Sequence, residues 1–250
     1  MEKGAQIVRK AQVSTPAKEL DAPCPALGTW EISKAYTLSR AFLEDPAEQV
    51  APHLLGKILA SRIEDQNGTP YLAGRIVEIE AYLGQNTDPP DPAAHAHRGP
   101  TPRNQVLFGP AGHAYVYSIY GMHFCMNISC ETPGKAGSVL IRALEPLAGL
   151  DRMALNRGLK VDAKPSQLTS GPSRLCQALG ITRPTHNGLD LLDPASPLQL
   201  LEDGFTVSEV HVTGRIGITH AADLPLRFSL RDHTCVSGPK RVKGSFIFLR

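Results

Sequence analysis

The clearest alternation of apolar and polar residues lies in RIVEIEAYLG, residues 75–84, and it predicts a β-strand. Successive side chains of a strand point to opposite faces of its sheet. One face would carry the apolar residues Val77, Ile79, Ala81 and Leu83. The other would carry Glu78, Glu80 and Tyr82. Two carboxylates and a ring on one face form either a solvated surface or the lining of a cleft, and the spacing does not favour Glu78 or Glu80 as the functional residue.

The remaining patterns predict further elements. Helical spacing from Thr37 to Ala60, interrupted near Pro46 and Pro52, favours two short helices, and residues 85–112 read as a Pro- and Gly-rich loop. The other expected elements are strands at 138–146, around 198–219 and at 225–231, and helices at 147–158 and 170–181. Because strands and helices do not alternate regularly, the predicted fold class is α+β, a single compact domain with a mainly antiparallel sheet surrounded by helices.

Residues 115–127, YVYSIYGMHFCMN, predict a protruding β-hairpin with Tyr120 and Gly121 at its tip. Three of the chain's six tyrosines fall within six residues here, namely Tyr115, Tyr117 and Tyr120. Tyr115 and Tyr117 are explained well enough as half-buried aromatic residues of a sheet. A ring at a hairpin tip contributes nothing to a core, so Tyr120 indicates contact with a partner.

Composition predicts one folded domain preceded by a tail. Residues 1–34 are rich in Ala, Pro and Lys without a sustained period, so we predict a disordered tail there and a folded domain at 35–250. No stretch approaches about 18 consecutive apolar residues, and no apolar signal region is present, so neither a membrane span nor secretion is expected. Five cysteines without a C-x-x-C pair favour a reducing, intracellular compartment.

Charge is unevenly distributed although the net charge is only +2. Residues 135–183 contain eight Lys or Arg against three Asp or Glu, whereas residues 185–210 contain five acidic residues and no Lys or Arg. A basic face that meets a polyanion would produce this pattern, and so would ordinary variation of surface charge. Charge therefore permits nucleic acid as a partner without demonstrating it.

Arg142 stands inside SVLIRALEP, a run that is otherwise apolar on both faces. Arginine is rarely buried without a partner, so a salt bridge within the fold is one explanation. In one sheet with the carboxylates of residues 78 and 80, Arg142 could instead help to activate water.

His95 and His97 with one of the glutamates could form a divalent metal site, but no H-E-x-x-H spacing supports it. We therefore expect no metal and no cofactor, and keep a metal-dependent hydrolase as a rival.

The tyrosines fit a protein that works on a single nucleotide of duplex DNA. Extruding a nucleotide costs a few kcal/mol, and stacking it on an aromatic side chain recovers about 1–3 kcal/mol per contact. Tyr82, His95 and Tyr117 could enclose an extruded base, and Tyr120 could fill the gap that it leaves. A non-catalytic protein that binds damaged DNA would keep these rings without needing Glu80.

The order of the motifs is more specific than any spacing. They are RIVEIEAYLG, AAH, RGPTPRN, AYVYSIYGMHFCMNIS, VLIRALEP, SGPSRLCQALGI, GRIGI and PLRF. From about Leu38 to near Gly238 the chain resembles the alkyladenine (3-methylpurine) DNA glycosylase family. The resemblance implies a monofunctional enzyme of base-excision repair that hydrolyses the N-glycosidic bond of 3-methyladenine, 7-methylguanine, hypoxanthine or ethenoadenine without strand cleavage. It also implies a curved sheet, a monomer, double-stranded DNA containing damaged purines as partner, and no cofactor.

The resemblance assigns roles by match to the family's motifs. Glu80 would be the general base, and Arg142 with the backbone carbonyl of Ile216 would hold the attacking water. The pocket would be formed by Tyr82, His95, Tyr117 and Asn127, of which Asn127 at the floor would disfavour the 2-amino group of guanine. Tyr120 would intercalate. Other DNA contacts would come from Arg103, Met122, His123, Ser170, Ser173 and Arg174.

The chain departs from the family pattern in three places. The link QNTDPPDPAA is longer and richer in proline, His97 stands where a small residue is more typical, and His123 replaces an aromatic residue. Either histidine of the loop could therefore line the pocket, and AAH favours His95.

Helix 170–181 is either an ordinary helix with a proline start or one whose N-terminus faces a DNA phosphate. The expected compartment is the bacterial cytoplasm, associated with the nucleoid, or the nucleus of a eukaryote.

Overall fold

The computed structural model describes residues 30–63, 71–239 and 243–249 of the chain. Its strands are β1 (Tyr36–Thr37), β2 (Ile58–Arg62), β3 (Tyr71–Tyr82), β4 (Ala114–Ile119), β5 (His123–Cys130), β6 (Gly137–Ala148), β7 (Leu198–Glu202), β8 (Glu209–Thr213), β9 (Arg227–Leu230) and β10 (Ser245–Phe248). Its α-helices are α1 (Ala47–Leu54), α2 (Leu150–Asn156), α3 (Pro165–Thr169), α4 (Pro172–Ala178) and α5 (Arg183–His186). Short 3-10 helices lie at Ile32–Lys34, Arg40–Leu43 and Gln105–Phe108. The strands described form one sheet with antiparallel pairing throughout, which confirms the α+β class.

The sheet forks at β3. Its main order is β1-β7-β2-β3-β6-β5-β4, and β9 joins β3 to a second branch of β8 and β10. Residues 71–75 of β3 pair with β2, whereas residues 78–80 pair with β9. The fork therefore places Glu78 and Glu80 between β6 on one side and β9 on the other.

A bulge lies in β3 at this fork. The pairing of β3 with β6 is irregular on both sides of Glu78. An extra residue in a strand turns the side chains before and after it onto different faces. Val77 accordingly packs with Ala143 and Cys235 in a small cluster, while Ile79 lies in the main core. The prediction that Val77 shares a face with Ile79 is therefore wrong, because strict alternation ends at the bulge.

The main core lies on one face of the sheet. Fully buried side chains of β3, β5 and β6 pack there with α1 and α4, among them Ile79, Met126, Ile141, Leu54 and Leu175. Burying each of these side chains contributes roughly 1.5–3 kcal/mol. Residues that alternate with core residues point to the other face. Glu80 lies between Ile79 and Ala81 of the core, so its carboxylate is on the face that remains for a functional site.

The N-terminal part of the fold departs from the predicted helices at β2. The helical pattern of residues 37–60 holds for Arg40–Leu43 and α1, but it is wrong for residues 58–60, which begin β2. These residues pair with both β3 and β7, so tertiary pairing overrides their helical spacing. The tail predicted at 1–34 lies outside the described residues up to residue 29, and its boundary stays a prediction. No helix within the described residues is long and apolar enough to cross a membrane.

Candidate active site

Sheet register brings distant parts of the chain together on the face away from the core. Glu80 of β3 pairs with Leu140 of β6. Leu140 in turn pairs with Asn127 of β5, and Asn127 pairs with Tyr115 of β4. Neighbouring strands lie about 4.8 Å apart, so Glu80 and Asn127 are separated by roughly 10 Å. One row across four strands thus contains the candidate base, the candidate pocket floor and a tyrosine.

The carboxylate of Glu80 is fully buried and has three polar partners among the residues that the structure describes. The backbone N–H of Ile216 donates to Oε1 at 2.8 Å, and Nη1 of Arg142 lies 3.1 Å from the same oxygen. The hydroxyl of Tyr82 donates to Oε2 at 3.0 Å. A carboxylate has about four acceptor positions, so one position on Oε2 is left for a further donor. Tyr82 and Ile216 are only half-buried, so this position adjoins groups that solvent reaches.

The carboxylate of Glu78 has a different environment. Its Oε1 accepts hydrogen bonds from Nε of Arg227 at 2.7 Å and from Nε of Arg142 at 3.1 Å. Its Oε2 accepts the backbone N–H of Ser237 at 2.6 Å. Arg227 and Ser237 are themselves buried, at 2% and 7% exposure. Glu78 is therefore enclosed at the fork of the sheet, and this difference favours Glu80 as the reactive carboxylate.

Arg142 connects the two carboxylates and is 8% exposed. Its Nη1 also lies 3.5 Å from the carbonyl oxygen of Ile216, and its Nη2 lies 3.4 Å from Oγ of Ser237. Burial acts to lower the pKa of the guanidinium, but the charges of Glu80 and Glu78 outweigh it, so the pKa is raised. Arg142 therefore stays cationic, and with Arg227 it balances the two carboxylates.

Tyr82 ends β3 beside Glu80. Burial raises the pKa of its phenol, and the negative charge of Glu80 raises it further, so the hydroxyl stays protonated as a donor. The guanidinium of Arg215 lies over the ring, 4.6 Å from its centroid. Arg215 in turn donates to both carboxylate oxygens of Asp91, at 2.7 and 2.8 Å. Tyr82 thus contributes a donor to Glu80 and a ring with a cation against it.

His95 is the histidine of the loop that reaches the tyrosines. Its Nδ1 lies 3.0 Å from the hydroxyl of Tyr115, and its ring meets Tyr117 edge-on with centroids 4.6 Å apart. Asn104, in the RGPTPRN motif, donates to the carbonyl of His95 at 2.8 Å and holds the loop in place. Burial lowers the pKa of His95 and the charge of Arg103 lowers it further, which favours the neutral ring. Both histidines are exposed, so it is the contacts of His95 with Tyr115 and Tyr117 that favour it over His97 for the pocket.

The rest of the predicted pocket lies on β4 and β5. Tyr117 stacks on Tyr115 with centroids 5.2 Å apart, and burial raises the pKa of its hydroxyl well above the usual value. Asn127 is 5% exposed, and its Nδ2 donates to Oγ of Ser138 at 3.0 Å. Among the described residues nothing binds the buried Oδ1 of Asn127. An unpaired buried acceptor is costly, so this atom is a candidate contact for a ligand.

The tip of the β4–β5 hairpin carries three exposed side chains. Tyr120 is 91% exposed and Met122 75% exposed, and His123 next to them is exposed as well. Tyr120 has φ +49° and Gly121 has φ +76°, and the left-handed region is disfavoured for a tyrosine. Apolar side chains held away from any core on a strained turn indicate a surface that meets a partner.

The N-terminus of α4 lies against the strand that carries Arg142. The N–H of Gly171 donates to the carbonyl of Arg142 at 3.0 Å, and Ser170 forms a bridge with Ala143. Oγ of Ser173 lies 3.9 Å from Sγ of Cys125, a residue of β5 that pairs with Tyr117.

Arg174 is exposed and donates to the carbonyl of Ser170 at 3.4 Å. Arg103 lies elsewhere, with its guanidinium 5.9 Å from the centroid of Tyr117. These residues border the site, and their contacts with DNA stay a prediction.

Four residues that build the site have no role predicted from the sequence. They are Asp91, Arg215, Arg227 and Ser237. Arg227 stands inside the apolar run PLRFSL, which is the same signal that identified Arg142. Asp91 lies in the proline-rich link and has no comparable signal, because its partner is 124 positions away in the sequence.

A metal site with His95, His97 and a glutamate finds no support in the geometry. Among the residues that the structure describes, no three His, Cys, Asp or Glu side chains are grouped to hold a metal ion.

A cleft of about 400 Å³ lies beside Arg227 and is lined by side chains that include His211, Arg231 and Phe246. Ser237, which binds Arg142 and Glu78, belongs to the segment between this cleft and the candidate site.

Comparison with known proteins identifies the family of the chain. Residues 41–234 match the family model for methylpurine-DNA glycosylase. A protein of Koribacter versatilis is 52% identical over 206 residues, which are 81% of this chain and 94% of the relative. A protein of Methanoculleus marisnigri is 49% identical over 80% of this chain and 98% of its own length, and one of Rhodopseudomonas palustris is 46% identical over 90% and 96%. All three bear the provisional name 3-methyladenine DNA glycosylase. The chain therefore belongs to the methylpurine-DNA glycosylase family.

Proposed function

We propose that the protein releases damaged purines from duplex DNA by hydrolysis of the N-glycosidic bond, with Glu80 as the general base. Family membership makes DNA the partner and glycosylase chemistry the activity. The observation that carries the assignment to Glu80 is the acceptor position left on its Oε2. Water bound there would be deprotonated by a carboxylate that Ile216, Arg142 and Tyr82 hold in a fixed orientation.

The carboxylate of Glu80 also stabilises the positive charge that develops in the reaction. Departure of a purine leaves positive charge on the sugar, as in other glycoside hydrolysis. Arg142 and Arg227 balance Glu80 and Glu78 before the reaction, so the site is close to neutral and tolerates one more positive charge. The water oxygen bonds to C1′ of the sugar as its proton passes to Glu80, and the purine leaves with the electrons of the broken bond. A purine alkylated at N3 or N7 leaves as a neutral base, whereas hypoxanthine and ethenoadenine take up a proton from solvent. The product is an abasic site in an intact strand.

The damaged nucleotide is extruded from the helix and its base enters the pocket. Tyr82, His95 and Tyr117 enclose the extruded base, and Tyr120 enters the gap in the duplex. Asn127 contacts the base at the floor and disfavours the 2-amino group of normal guanine. The relatives bear names that refer to 3-methyladenine, and we extend the substrates of this chain to 7-methylguanine, hypoxanthine and ethenoadenine because alkylated and deaminated purines fit the same stacked arrangement.

A defined duplex tests this function. Oligonucleotides with one hypoxanthine or one 7-methylguanine are incubated with the protein, and the free base is measured by chromatography. We expect base release that is insensitive to EDTA, with strands that break only after alkali. Binding of the lesion duplex without release of base would instead favour a non-catalytic damage-binding protein. Loss of release in EDTA would favour the metal-dependent rival.

A further inference from the structure

A buried ion pair lies against the ring of Tyr82. The side chains of Asp91 and Arg215 have no exposed surface, and both guanidinium Nη atoms bind the carboxylate, at 2.7 and 2.8 Å. The same guanidinium lies 4.6 Å from the centroid of Tyr82. One face of the ring is thereby covered, so the opposite face is the one on which a base can stack.

The pair also holds the backbone on both sides of Tyr82. Nη1 of Arg215 donates to the carbonyl of Ala81 at 3.0 Å, and the N–H of Leu83 donates to Oδ2 of Asp91 at 3.0 Å. The position of the ring relative to Arg215 is thus fixed by contacts before and after it. An extruded base would meet a ring that cannot move away from the cation behind it.

A cation behind an aromatic ring affects what the ring can bind in front. A positively charged ligand is attracted by the electron density of the ring face. A cation on the opposite face of the ring weakens this attraction. A base stacked at about 3.5 Å lies roughly 8 Å from the guanidinium, a distance at which a buried charge is still felt. The carboxylate of Asp91 cancels most of this repulsion. Purines alkylated at N3 or N7 carry a positive charge, whereas hypoxanthine and ethenoadenine are neutral. The balance between the charges of Asp91 and Arg215 therefore affects the binding of the first group only.

We propose that Asp91 and Arg215 are specificity-determining residues, whose charge balance sets how well Tyr82 accepts cationic damaged purines relative to neutral ones. With both charges present, the ring accepts either class. The inference rests on the proposed function, since it requires a base stacked on Tyr82.

Three variants test it: Asp91→Asn, Arg215→Gln and the double variant. Single-turnover release of 7-methylguanine, corrected for spontaneous loss, is divided by release of hypoxanthine. Asp91→Asn leaves the cation unbalanced, so we expect the ratio to fall about tenfold, which corresponds to about 1.4 kcal/mol. Arg215→Gln leaves the carboxylate alone and should raise the ratio. The double variant, with neither charge, should return to within about threefold of the wild-type ratio.

A purely structural role gives a different result. If both single variants shift the ratio in the same direction, or if neither shifts it, the inference is overturned. Should Asp91→Asn not fold because Arg215 is buried without a partner, the ratio for Arg215→Gln must still exceed that of the double variant. Wild-type protein that releases neither base would refute the proposed function as well, whereas normal release with unchanged ratios would overturn only this inference.

The chain contains a matched control. Arg75 binds both carboxylate oxygens of Asp203, at 3.1 and 2.9 Å, and its guanidinium lies 4.1 Å from the centroid of Phe205. This group has the same chemistry but does not adjoin Glu80. Asp203→Asn should therefore lower stability and leave the ratio of the two lesions unchanged, and a shifted ratio would count against a specific role for Asp91.

Discussion

Nη1 of Arg142 lies 3.1 Å from Oε1 of Glu80, and both side chains are removed from water. A buried ion pair contributes little net stability, because the loss of hydration offsets the attraction. Its consequence here is orientation, since Glu80 is also bound by Ile216 and Tyr82 and cannot turn. The effects of changing these residues should therefore appear in the reaction rate more than in the affinity for DNA.

Glu80→Gln should remove the base while keeping the shape of the site. We expect release of hypoxanthine to fall by about 10²- to 10⁴-fold, the contribution typical of a general base. The affinity for the lesion duplex, measured by fluorescence anisotropy, should change little. Glu209→Gln is the control, because Glu209 lies on β8 and pairs with the exposed side chain of Arg231, away from the candidate site. Unchanged release by Glu80→Gln would assign water activation to another group.

Glu78→Gln should act on stability. It leaves the buried guanidiniums of Arg142 and Arg227 without one of their counterions, and breaking such pairs costs about 3–5 kcal/mol. Urea denaturation at neutral pH measures the difference in the free energy of unfolding. A stable Glu78→Gln protein that had lost base release to the extent expected for Glu80→Gln would reverse the roles of the two carboxylates.

Tyr82→Phe removes the hydrogen bond to Oε2 of Glu80 and keeps the ring. A hydrogen bond to a charged group contributes about 1.5–3 kcal/mol, so the single-turnover rate should fall roughly tenfold or more. The affinity for the lesion duplex should persist because the stacking surface remains. Tyr71→Phe, at the other end of β3, provides the control and should leave the rate unchanged. An equal loss in both variants would point to a general effect on the strand.

Tyr120→Ala should weaken binding to a lesion duplex without affecting the fold. Loss of one aromatic contact with a base costs about 1–3 kcal/mol, or about 5- to 150-fold in affinity. The side chain is 91% exposed, so the thermal unfolding temperature should not fall. Phe248→Ala is matched to it, since Phe248 is 71% exposed on β10, far from the hairpin in the strand order. Full affinity of Tyr120→Ala would contradict the intercalating role.

The lowered pKa of His95 predicts a dependence of stability on pH. Below the ordinary histidine pKa of 6.5, the unfolded chain takes up a proton that the folded protein resists, because burial and Arg103 disfavour the charged ring. The unfolded state then binds more protons, so this residue's contribution to stability falls as the pH falls from 7 toward 5. Thermal unfolding of wild type and His95→Gln at several pH values measures it. The wild type should lose more stability than the variant on acidification, and parallel curves would argue against the shift.

Several parts of this arrangement could be predicted from sequence because they depend on local periodicity. The alternation in RIVEIEAYLG, the hairpin around Gly121 and the apolar run around Arg142 all correspond to strands. The proline expected in the first turn of the predicted helix 170–181 is Pro172, the first residue of α4. The carboxylates, the buried arginine and the tip tyrosine are therefore identifiable from local sequence alone.

Other parts depend on contacts between segments that are distant in sequence. Helical spacing in residues 58–60 gave the wrong element, because β7 and β3 supply hydrogen-bond partners that no local pattern shows. No strand is predicted from the sequence at β10, whose partner β8 is distant in the chain. The bulge that moves Val77 off the face of Ile79 arises where β3 changes its partner from β2 to β9.

The sequence by itself determined which residue types stand on the polar face of β3 and which arginine interrupts an apolar strand, because a strand's two-residue period is local. Only the tertiary structure decided between Glu78 and Glu80. It enclosed Glu78 with Arg227 and Ser237 and left Glu80 beside half-buried Tyr82 and Ile216. The partners of a buried charge come from whichever segments the fold brings to it, and this choice follows from the packing of the whole sheet.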